Sequence, residues 1–420
     1  MVAIAQSLPS NGRLTIKGMR YAFYHLYVAC LLGANAVVLI PTNTDGTVGS
    51  NATFSLSWIA LHAASLLFFI TLRRQNTSSL YIAIGIGGYI LLSALWSPSP
   101  STTLVYGGML AGNIVVAHLM ASELWLRDIL NIFARTILIL VIAGIVSYFV
   151  GYGQVYYFDS HGRSNILGGA PFRGFFPHKI MASLYATLGY IIVYAYSSGW
   201  RRLAYSIIFF AFIIFTGSAT GIVLLISAVL CYYTALTCLR IGVRVDVFYA
   251  VVLVAVGVGS GIAILNWYTL LDFLGRDGTL TGRTLLWEWG LIAWSERPIL
   301  GWGFNGYFTG PESGAINTAI QQFRNYEVPH FHQSFIQTMV DLGALGAIVL
   351  ALVISYVLWR SYRPTVSVGK KGAAAMFSIM TTMLLASTTM FLFLNYNHFA
   401  NFMLFSLFFA LRGQSANGDR

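Results

Sequence analysis

Two segments of the sequence carry cationic side chains of the kind that bind phosphate. Arg283 stands at the start of a predicted helix, and Arg173, His178 and Lys179 stand where an apolar run begins. A guanidinium group matches phosphate oxygens in shape, and a helix N-terminus adds unpaired N–H groups. If the two segments converge, they form a cationic pocket that suits a lipid carrying a diphosphate. Contact with anionic headgroups is the alternative for each residue, and for His178 and Lys179 it is the simpler one.

Two histidines, His330 and His332, stand immediately before another long apolar run. Histidine titrates near neutral pH, so His332 can act as a general base on an attacking hydroxyl, while His330 orients the site. An ordinary structural hydrogen bond is the alternative for both. The His-Phe-His spacing contains no acidic ligand, so we expect no metal site. The sequence also shows no P-loop, HExxH or DxD pattern, and we expect no cofactor.

Two further charged residues, Asp341 and Arg135, fall inside apolar runs, where ionisable side chains are costly and often functional. Asp341 follows His332 by nine residues. At 100° per residue it lies on the opposite face of a helix, about two and a half turns further along. We therefore expect a structural pairing for Asp341. Arg135 is a candidate functional residue for the same reason, because it is an ionisable side chain inside an apolar run.

The composition is that of a polytopic membrane protein. Hydrophobic residues make up 57% of the chain, charged residues 9%, and the mean hydropathy is +0.72, whereas soluble domains contain about 25% charged residues. The net charge of +11 could suggest a nucleic-acid partner, but the positive residues are distributed according to membrane topology. We expect no nucleic acid to bind.

Twelve apolar runs are long enough to cross a membrane core of about 30 Å. They lie near 21–41, 52–72, 79–97, 103–122, 129–152, 177–197, 203–216, 219–239, 246–268, 333–359, 372–394 and 398–411. With the N-terminus inside, sixteen of the 24 lysines and arginines lie on the cytoplasmic side, as the positive-inside rule requires. The same orientation places the C-terminus in the cytoplasm.

The predicted architecture is therefore an all-α polytopic membrane protein with about twelve transmembrane helices and one large outer loop. Spans 1 to 9 form a bundle over residues 1–267, the loop occupies 268–332, and spans 10 to 12 form a second bundle over 333–420. Gly343 and Gly346 in the tenth span predict close helix packing.

The outer loop contains a predicted helix that lies on the membrane surface. Its apolar face, at 3.6-residue spacing, comprises Leu285, Leu286, Trp289, Ile292 and Ala293. Pro298 ends this helix, because the residue before a proline avoids the helical region. A tight turn over the glycines 301, 303 and 306 follows.

The tryptophans of this loop have two interpretations. They are Trp287, Trp289, Trp294 and Trp302. Tryptophan is typical of the headgroup level of a membrane, and its ring also stacks on sugars. Trp287 is the one that we count among the candidate substrate contacts.

Four motifs stand out beside the apolar runs. They are RGFFPHK at 173–179, DGTLTGRTLLW at 277–287, ERPILGWGF at 296–304 and HFHQSFIQTMVDLGALG at 330–346. Together with the twelve predicted spans, they resemble the O-antigen ligase and Wzy-type polymerase superfamily, and especially its exopolysaccharide polymerase branch.

The resemblance implies a metal-independent, integral-membrane glycosyltransferase of the bacterial inner membrane, with its active site facing the periplasm. Such a protein uses glycans on undecaprenyl diphosphate and joins them to an acceptor glycan. Carried over residue by residue, Arg173 and Arg283 hold the diphosphate and His332 activates the acceptor hydroxyl, with inversion at the new bond. The further expected substrate contacts are Lys179, His178, His330 and Trp287. Membrane lipids and other polysaccharide export proteins are the remaining expected partners.

Three activities are compatible with these residues. Polymerisation of exopolysaccharide repeat units is the first expectation. A ligase that transfers a finished glycan to lipid A core or to protein stays open. A flippase or carrier for lipid-linked glycans would also need a cationic pocket at the membrane surface. Transporters, however, usually show internal repeats and polar sites near the midplane of the bilayer. Here the unusual residues cluster at one face.

Overall fold

In the computed structural model, the described part of the chain is helical apart from turns and one isolated bridge between Tyr156 and Phe172. The structure describes residues 16–40, 52–70, 77–156, 165, 168–254, 283–310, 329–364 and 368–417. The α-helices are α1 (Ile16–Leu31), α2 (Ala34–Leu39), α3 (Ala52–Ile70), α4 (Thr77–Leu92), α5 (Pro100–Glu123), α6 (Leu126–Val150), α7 (Lys179–Tyr196), α8 (Gly199–Phe215), α9 (Ala219–Ile241), α10 (Val245–Val254), α11 (Arg283–Glu296), α12 (Ser334–Ser361), α13 (Gly369–Ser387) and α14 (Phe399–Asn417). Short 3₁₀ turns cover Ser93–Leu95 and Gly153–Val155.

Several of these helices have the length and composition of membrane spans. Six qualify: Thr77–Leu95, Pro100–Glu123, Leu126–Val150, Lys179–Tyr196, Ala219–Ile241 and Ser334–Ser361. Shorter apolar helices cover Thr53–Phe68, Val245–Val254 and Phe399–Gly413. The chain is therefore an integral membrane protein with helical spans. Described helices overlap each of the twelve predicted runs, while twelve crossings and a single large outer loop remain predictions.

The first predicted span, 21–41, is wrong as one continuous helix. α1 ends at Leu31 and α2 begins at Ala34, and Gly33 between them adopts a left-handed conformation with φ 99°. A Cβ added at Gly33 would lie 2.5 Å from Cδ of Pro177. Only glycine suits both this conformation and this close approach.

The predicted span 372–394 is wrong in its last seven residues. α13 ends at Ser387, and residues 388–398 form an irregular segment before α14. The middle of this segment, residues 390–394, is apolar and buried. Irregular chain at membrane depth needs partners for its backbone groups, and side chains of neighbouring helices supply them here.

The main partner is Ser334, the first residue of α12. Its Oγ accepts hydrogen bonds from the N–H groups of Leu392 at 2.8 Å and Phe393 at 3.2 Å. The same hydroxyl donates to the carbonyl oxygen of Met390 at 3.0 Å. One buried serine therefore replaces three helical partners and holds the 388–398 segment against the start of α12.

The chain forms two compact units. The first comprises Met1–Thr77, Val116–Leu230 and Arg412–Arg420, and the second comprises Ser78–Val115 and Cys231–Leu411. In the first unit, buried Phe172 and Phe176 pack edge-on against Phe212 of α8, with ring centroids 5.2 and 5.8 Å apart. These two phenylalanines flank Arg173, so the core of the first unit holds the segment that presents this arginine.

In the second unit, α12 is interrupted at Gly343, which has φ 65° and ψ −167°. The interruption leaves backbone groups of α12 without helical hydrogen-bond partners. Other segments of the second unit form hydrogen bonds with these groups. The N–H of Ala344 donates to the carbonyl oxygen of Pro298, and that of Trp302 donates to the carbonyl oxygen of Val340, both at 2.8 Å. The hydroxyl of Tyr89 donates to the carbonyl oxygen of Leu342 at 2.7 Å.

This geometry corrects the role predicted for Gly343. A Cβ at this position would lie 2.1 Å from the carbonyl oxygen of Ile299. The glycine therefore accommodates the loop after α11 rather than a neighbouring helix. Two glycines of that loop, Gly301 and Gly303, adopt left-handed conformations with φ 70° and 88°, which fits the tight turn predicted for them.

α11 occupies the position predicted for the loop helix and ends before Pro298, as expected. Its buried face is Leu286, Gly290 and Ala293. Leu285 and Ile292 were predicted to share that face, but they are 41% and 53% exposed. The difference arises because a small residue, Gly290, forms the contact: a Cβ there would lie 2.4 Å from Cγ2 of Ile336 in α12. The location of α11 on a membrane surface remains a prediction.

Candidate functional site

Arg283 is the first residue of α11, and the irregular 388–398 segment orients its side chain. Nη1 donates a hydrogen bond of 2.9 Å to the carbonyl oxygen of Thr389. The side chain is half-buried. A guanidinium has five N–H donors in a fixed plane, so a contact through Nη1 sets the direction in which the whole group points.

His330 and His332 lie side by side in front of α12. Their ring centroids are 4.2 Å apart, and the backbone N–H of His332 donates to Nδ1 of His330 at 3.1 Å. His332 itself adopts a left-handed conformation with φ 54°. For a residue other than glycine this conformation costs on the order of 1–3 kcal/mol, and such strain concentrates at functional sites.

His330 is held in its neutral form. Burial, together with the positive charge of Arg283, lowers the pKa of His330 to about 4. Because Nδ1 accepts the hydrogen bond from His332, the neutral ring carries its proton on Nε2. His330 therefore presents a donor on Nε2 rather than a base.

Phe331, between the two histidines, anchors them to the protein interior. It is fully buried in an apolar cluster of the second unit. The buried members of this cluster are Leu286, Ala293, Trp302, Tyr307, Phe331 and Val340. The backbone N–H of Phe331 also donates to Oε1 of Gln337 at 3.0 Å. The backbone that carries both histidines is thus fixed by a buried ring and a buried hydrogen bond.

The same cluster settles the positions of two tryptophans. Trp302 is 5% exposed and its indole N–H donates to the carbonyl oxygen of Ala293 at 2.8 Å, so its ring and its N–H make their contacts inside the protein. Trp287 is half-buried and packs against the cluster one helical turn after Arg283. Its indole N–H is buried and has no hydrogen-bond partner among the residues that the structure describes, a state that costs about 1–3 kcal/mol.

The 388–398 segment was not predicted from the sequence, in which it falls partly inside and partly between two predicted spans. Besides the carbonyl of Thr389, this segment brings the ring of Phe391 to 5.5 Å from that of His330. It also brings His398 close enough to His330 for their charges to interact. A signal existed: Asn395, Tyr396, Asn397 and His398 form a polar tetrad within an apolar stretch, where polar residues are often functional.

Asp341 has the structural role predicted for it. Its side chain is buried, accepts a hydrogen bond from Nε2 of Gln337 at 3.1 Å and is also hydrogen-bonded by the backbone N–H of Asn305. It therefore fastens the loop after α11 to α12. Within the described residues, no group of three His, Cys, Asp or Glu side chains is placed to hold a metal ion.

Arg173 lies in the first unit, where it is 7% exposed. Its Nε donates to the carbonyl oxygen of Gln154 at 3.1 Å, and Nη1 donates to that of Pro177 at 3.2 Å. Gly174, in a left-handed conformation with φ 59°, follows it. These contacts brace the guanidinium within the turn that leads into α7.

His178 and Lys179 begin α7. His178 is its N-cap, with Nδ1 accepting from the N–H of Ile180 at 3.1 Å. This structural role was not predicted from the sequence. Lys179 is 5% exposed, which does not fit anchoring to lipid headgroups. A contact of either residue with substrate remains a prediction.

The predicted site residues thus form two groups. Arg283, Trp287, His330 and His332 lie in the second unit, where electrostatic, ring and hydrogen-bond contacts connect Arg283 with both histidines. Arg173, His178 and Lys179 lie within seven consecutive residues of the first unit. The convergence of the two groups on one cationic pocket stays a prediction.

Comparison with known proteins gives two matches. Residues 204–351 match the family model described as O-antigen ligase, a stretch of about a third of the chain that contains Arg283, His330 and His332. Over 286 residues the chain is 27% identical to the exopolysaccharide production protein ExoQ of Rhizobium meliloti (strain 1021), an alignment that covers 63% of this chain and 61% of that relative.

Both matches agree with the resemblance that the four motifs predicted. The family model covers three of these motifs completely, those at 277–287, 296–304 and 330–346, and the name of ExoQ refers to exopolysaccharide production. Both findings support a likeness to the O-antigen ligase and Wzy-type polymerase superfamily, on its exopolysaccharide branch.

Proposed function

We propose that this protein is an integral-membrane glycosyltransferase that polymerises exopolysaccharide repeat units carried on undecaprenyl diphosphate. The observation that carries the proposal is the O-antigen ligase match, because it covers Arg283, His330 and His332 together. The contacts among these three residues in the second unit support a single site. The name of the relative favours polymer formation over ligation.

In the proposed step, a hydroxyl oxygen of the acceptor glycan attacks the anomeric carbon of the donor sugar. The bond from that carbon to the diphosphate oxygen breaks, and its electron pair leaves with the diphosphate. The hydroxyl proton passes to the base. Attack opposite the leaving group gives inversion at the new glycosidic bond.

Arg283, assisted by Arg173, would stabilise the charge that develops on the leaving diphosphate. Its hydrogen bond to the carbonyl of Thr389 supports this role, since a group oriented beforehand needs no reorganisation during the reaction. The neighbouring His330, neutral and with its proton on Nε2, would donate a hydrogen bond to a phosphate or sugar oxygen. Trp287 would supply its buried N–H or its ring to the same substrate.

His332 is the proposed base. His330 is the weaker candidate, because its Nδ1 is already occupied by the backbone of His332 and its low pKa makes it a poor proton acceptor. Asp341 is bound to Gln337 and to the loop after α11, which leaves it structural. A positioned base contributes about 10² to 10⁴-fold in rate.

The proposal places the protein in the bacterial inner membrane, with both termini in the cytoplasm and the site facing the periplasm. The positive-inside distribution of lysine and arginine supports this orientation. The resemblance also implies that the reaction needs no metal, so product formation should continue when a chelator is present.

The test is to incubate the purified protein with lipid-diphosphate-linked repeat units and to size the products. Polymerisation predicts a ladder of products that differ by one repeat unit. The second candidate, ligation, predicts one transfer of a preformed glycan to an added lipid A core acceptor and no ladder. A reaction that leaves the repeat units unjoined in both assays would refute glycosyl transfer.

A further inference from the structure

We propose that an apolar cavity in the second unit holds the hydrocarbon tail of the lipid-linked substrate. This inference rests on the proposed function and adds to it a binding site for the part of the substrate that does not react. The cavity has a volume of about 310 Å³ and lies between α4, α12 and α14, with Leu394 of the 388–398 segment in its wall.

The lining selects an apolar ligand. Tyr89 is the one lining residue with a polar side-chain group, and its hydroxyl already donates to the carbonyl of Leu342. The remaining lining consists of glycine, aliphatic residues and one phenylalanine. A sugar or a phosphate would find no partner there, whereas a polyprenyl chain needs none.

The cavity lies beside the interruption of α12. Leu342 and Gly346, on either side of Gly343, both line the cavity. Exposed apolar side chains border it, since Leu345 and Ile348 of α12 are 44% and 55% exposed. α4 and α12 both belong to helices with the composition of membrane spans. A tail could therefore pass into the cavity from surrounding lipid without crossing water.

The position relative to the candidate site identifies the occupant. α12 begins two residues after His332, and Leu342 follows eight residues after that start. At 1.5 Å per residue this is about 12 Å along the helix. The 388–398 segment joins the same two places, because Thr389 contacts Arg283 and Leu394 lines the cavity. A lipid whose diphosphate lies at Arg283 would thus have its tail beside the cavity.

An acyl chain of an ordinary bilayer lipid is the other conceivable occupant, and binding measurements separate the two. The probes are undecaprenyl diphosphate and geranyl diphosphate, which share the diphosphate and differ in tail length. The full-length protein in detergent should bind undecaprenyl diphosphate at least about tenfold more tightly, which corresponds to about 1.4 kcal/mol.

Two glycines of α4 provide a variant and its matched control. A Cβ added at Gly85 or at Gly88 meets no atom within 4 Å, but only Gly85 lines the cavity. Gly85→Leu should fill the space and remove the preference for the long tail, with geranyl diphosphate binding unchanged. Gly88→Leu, which carries the same helix substitution, should keep the preference. Val349→Phe, from the opposite wall, should reproduce the effect of Gly85→Leu.

Equal affinity of the wild type for both diphosphates would overturn the inference and leave the cavity to bilayer acyl chains. So would a preference that survives in both filled variants. The polymer assay separates this inference from the proposed function. A tail preference without any polymer would support tail binding in the cavity and refute the proposed polymerase function. Polymer without a tail preference would support the polymerase function and refute tail binding in the cavity.

Discussion

At the scale of single residues, Arg283 provides the sharpest prediction. Arg283→Lys should reduce the polymerisation rate nearly as much as Arg283→Ala, because a lysine cannot both reach the carbonyl of Thr389 and offer a second planar donor to the diphosphate. A charge-assisted hydrogen bond is worth about 1.5–3 kcal/mol, or roughly 10- to 150-fold in rate. The measurement is kcat/KM with the lipid-linked donor.

The control for Arg283→Lys is the exposed Arg201 at the start of α8, where Arg201→Lys should leave the rate unchanged. A lysine variant at position 283 that works at the wild-type rate would mean that Arg283 only contacts headgroups.

His330 predicts a pH dependence of stability. Its pKa is about 4 in the folded protein and about 6.5 in an unfolded chain, so the unfolded chain binds more protons between these values. Stability is therefore fully present above about pH 6.5 and is lost as the pH falls towards 4. His330→Gln should flatten this dependence. Melting temperatures of both proteins at several values between pH 4.5 and 7.5 test this, and parallel curves would show that His330 is not the responsible group.

The candidate site residues were easier to locate from sequence than the segments that surround them. Arg283 and His332 stand out because charged and titratable groups are rare in an apolar chain. His398 was missed because it lies in a stretch whose average hydropathy predicts a span. The capping role of His178 was missed because a helix cap depends on backbone geometry that a sequence does not specify uniquely.

At the scale of elements, the 388–398 segment depends on a single buried side chain. Ser334→Ala would leave two N–H groups and one carbonyl of this segment without a partner. Each buried unpaired group costs about 1–3 kcal/mol. We therefore expect a marked fall in melting temperature and a loss of activity, because the segment also orients Arg283.

Thr338→Val is the matched control, one turn further along α12. The Thr338 hydroxyl is also buried, but it donates only to the carbonyl oxygen of Ser334 within the same helix. Its loss should cost about 0.5–1.5 kcal/mol. Equal effects of the two substitutions would show that the segment does not depend on Ser334.

Apolar periodicity predicted the helices with the correct type and approximate position. These predictions were wrong where tertiary contacts override hydropathy. The break at Gly33 results from the contact with Pro177, and the interruption at Gly343 results from the loop that contains Ile299. Neither contact is local in sequence. The exposed face of α11 was misassigned for a related reason, since the helix packs through Gly290 and not through its largest side chains.

At the scale of the whole molecule, the topology is a prediction that labelling can test. Ala170→Cys, at an exposed position of the segment before α7, and Gly310→Cys should react with a membrane-impermeant thiol reagent added from the periplasmic side, and Ser367→Cys should not. The wild type, whose Cys30, Cys231 and Cys238 are buried or half-buried, gives the background. Labelling of position 367 from outside would contradict the orientation with twelve spans.

The central claim is that this protein forms glycosidic bonds and does not merely carry lipid-linked glycans. The most direct measurement counts new glycosidic bonds and released lipid diphosphate in the same reaction, for the wild type and for His332→Ala. We predict one released diphosphate for each new bond in the wild type. In His332→Ala both should fall together by about 10² to 10⁴-fold, while the donor still binds. Donor bound and moved across a membrane, with no new bond and no released diphosphate in the wild type, would contradict the account.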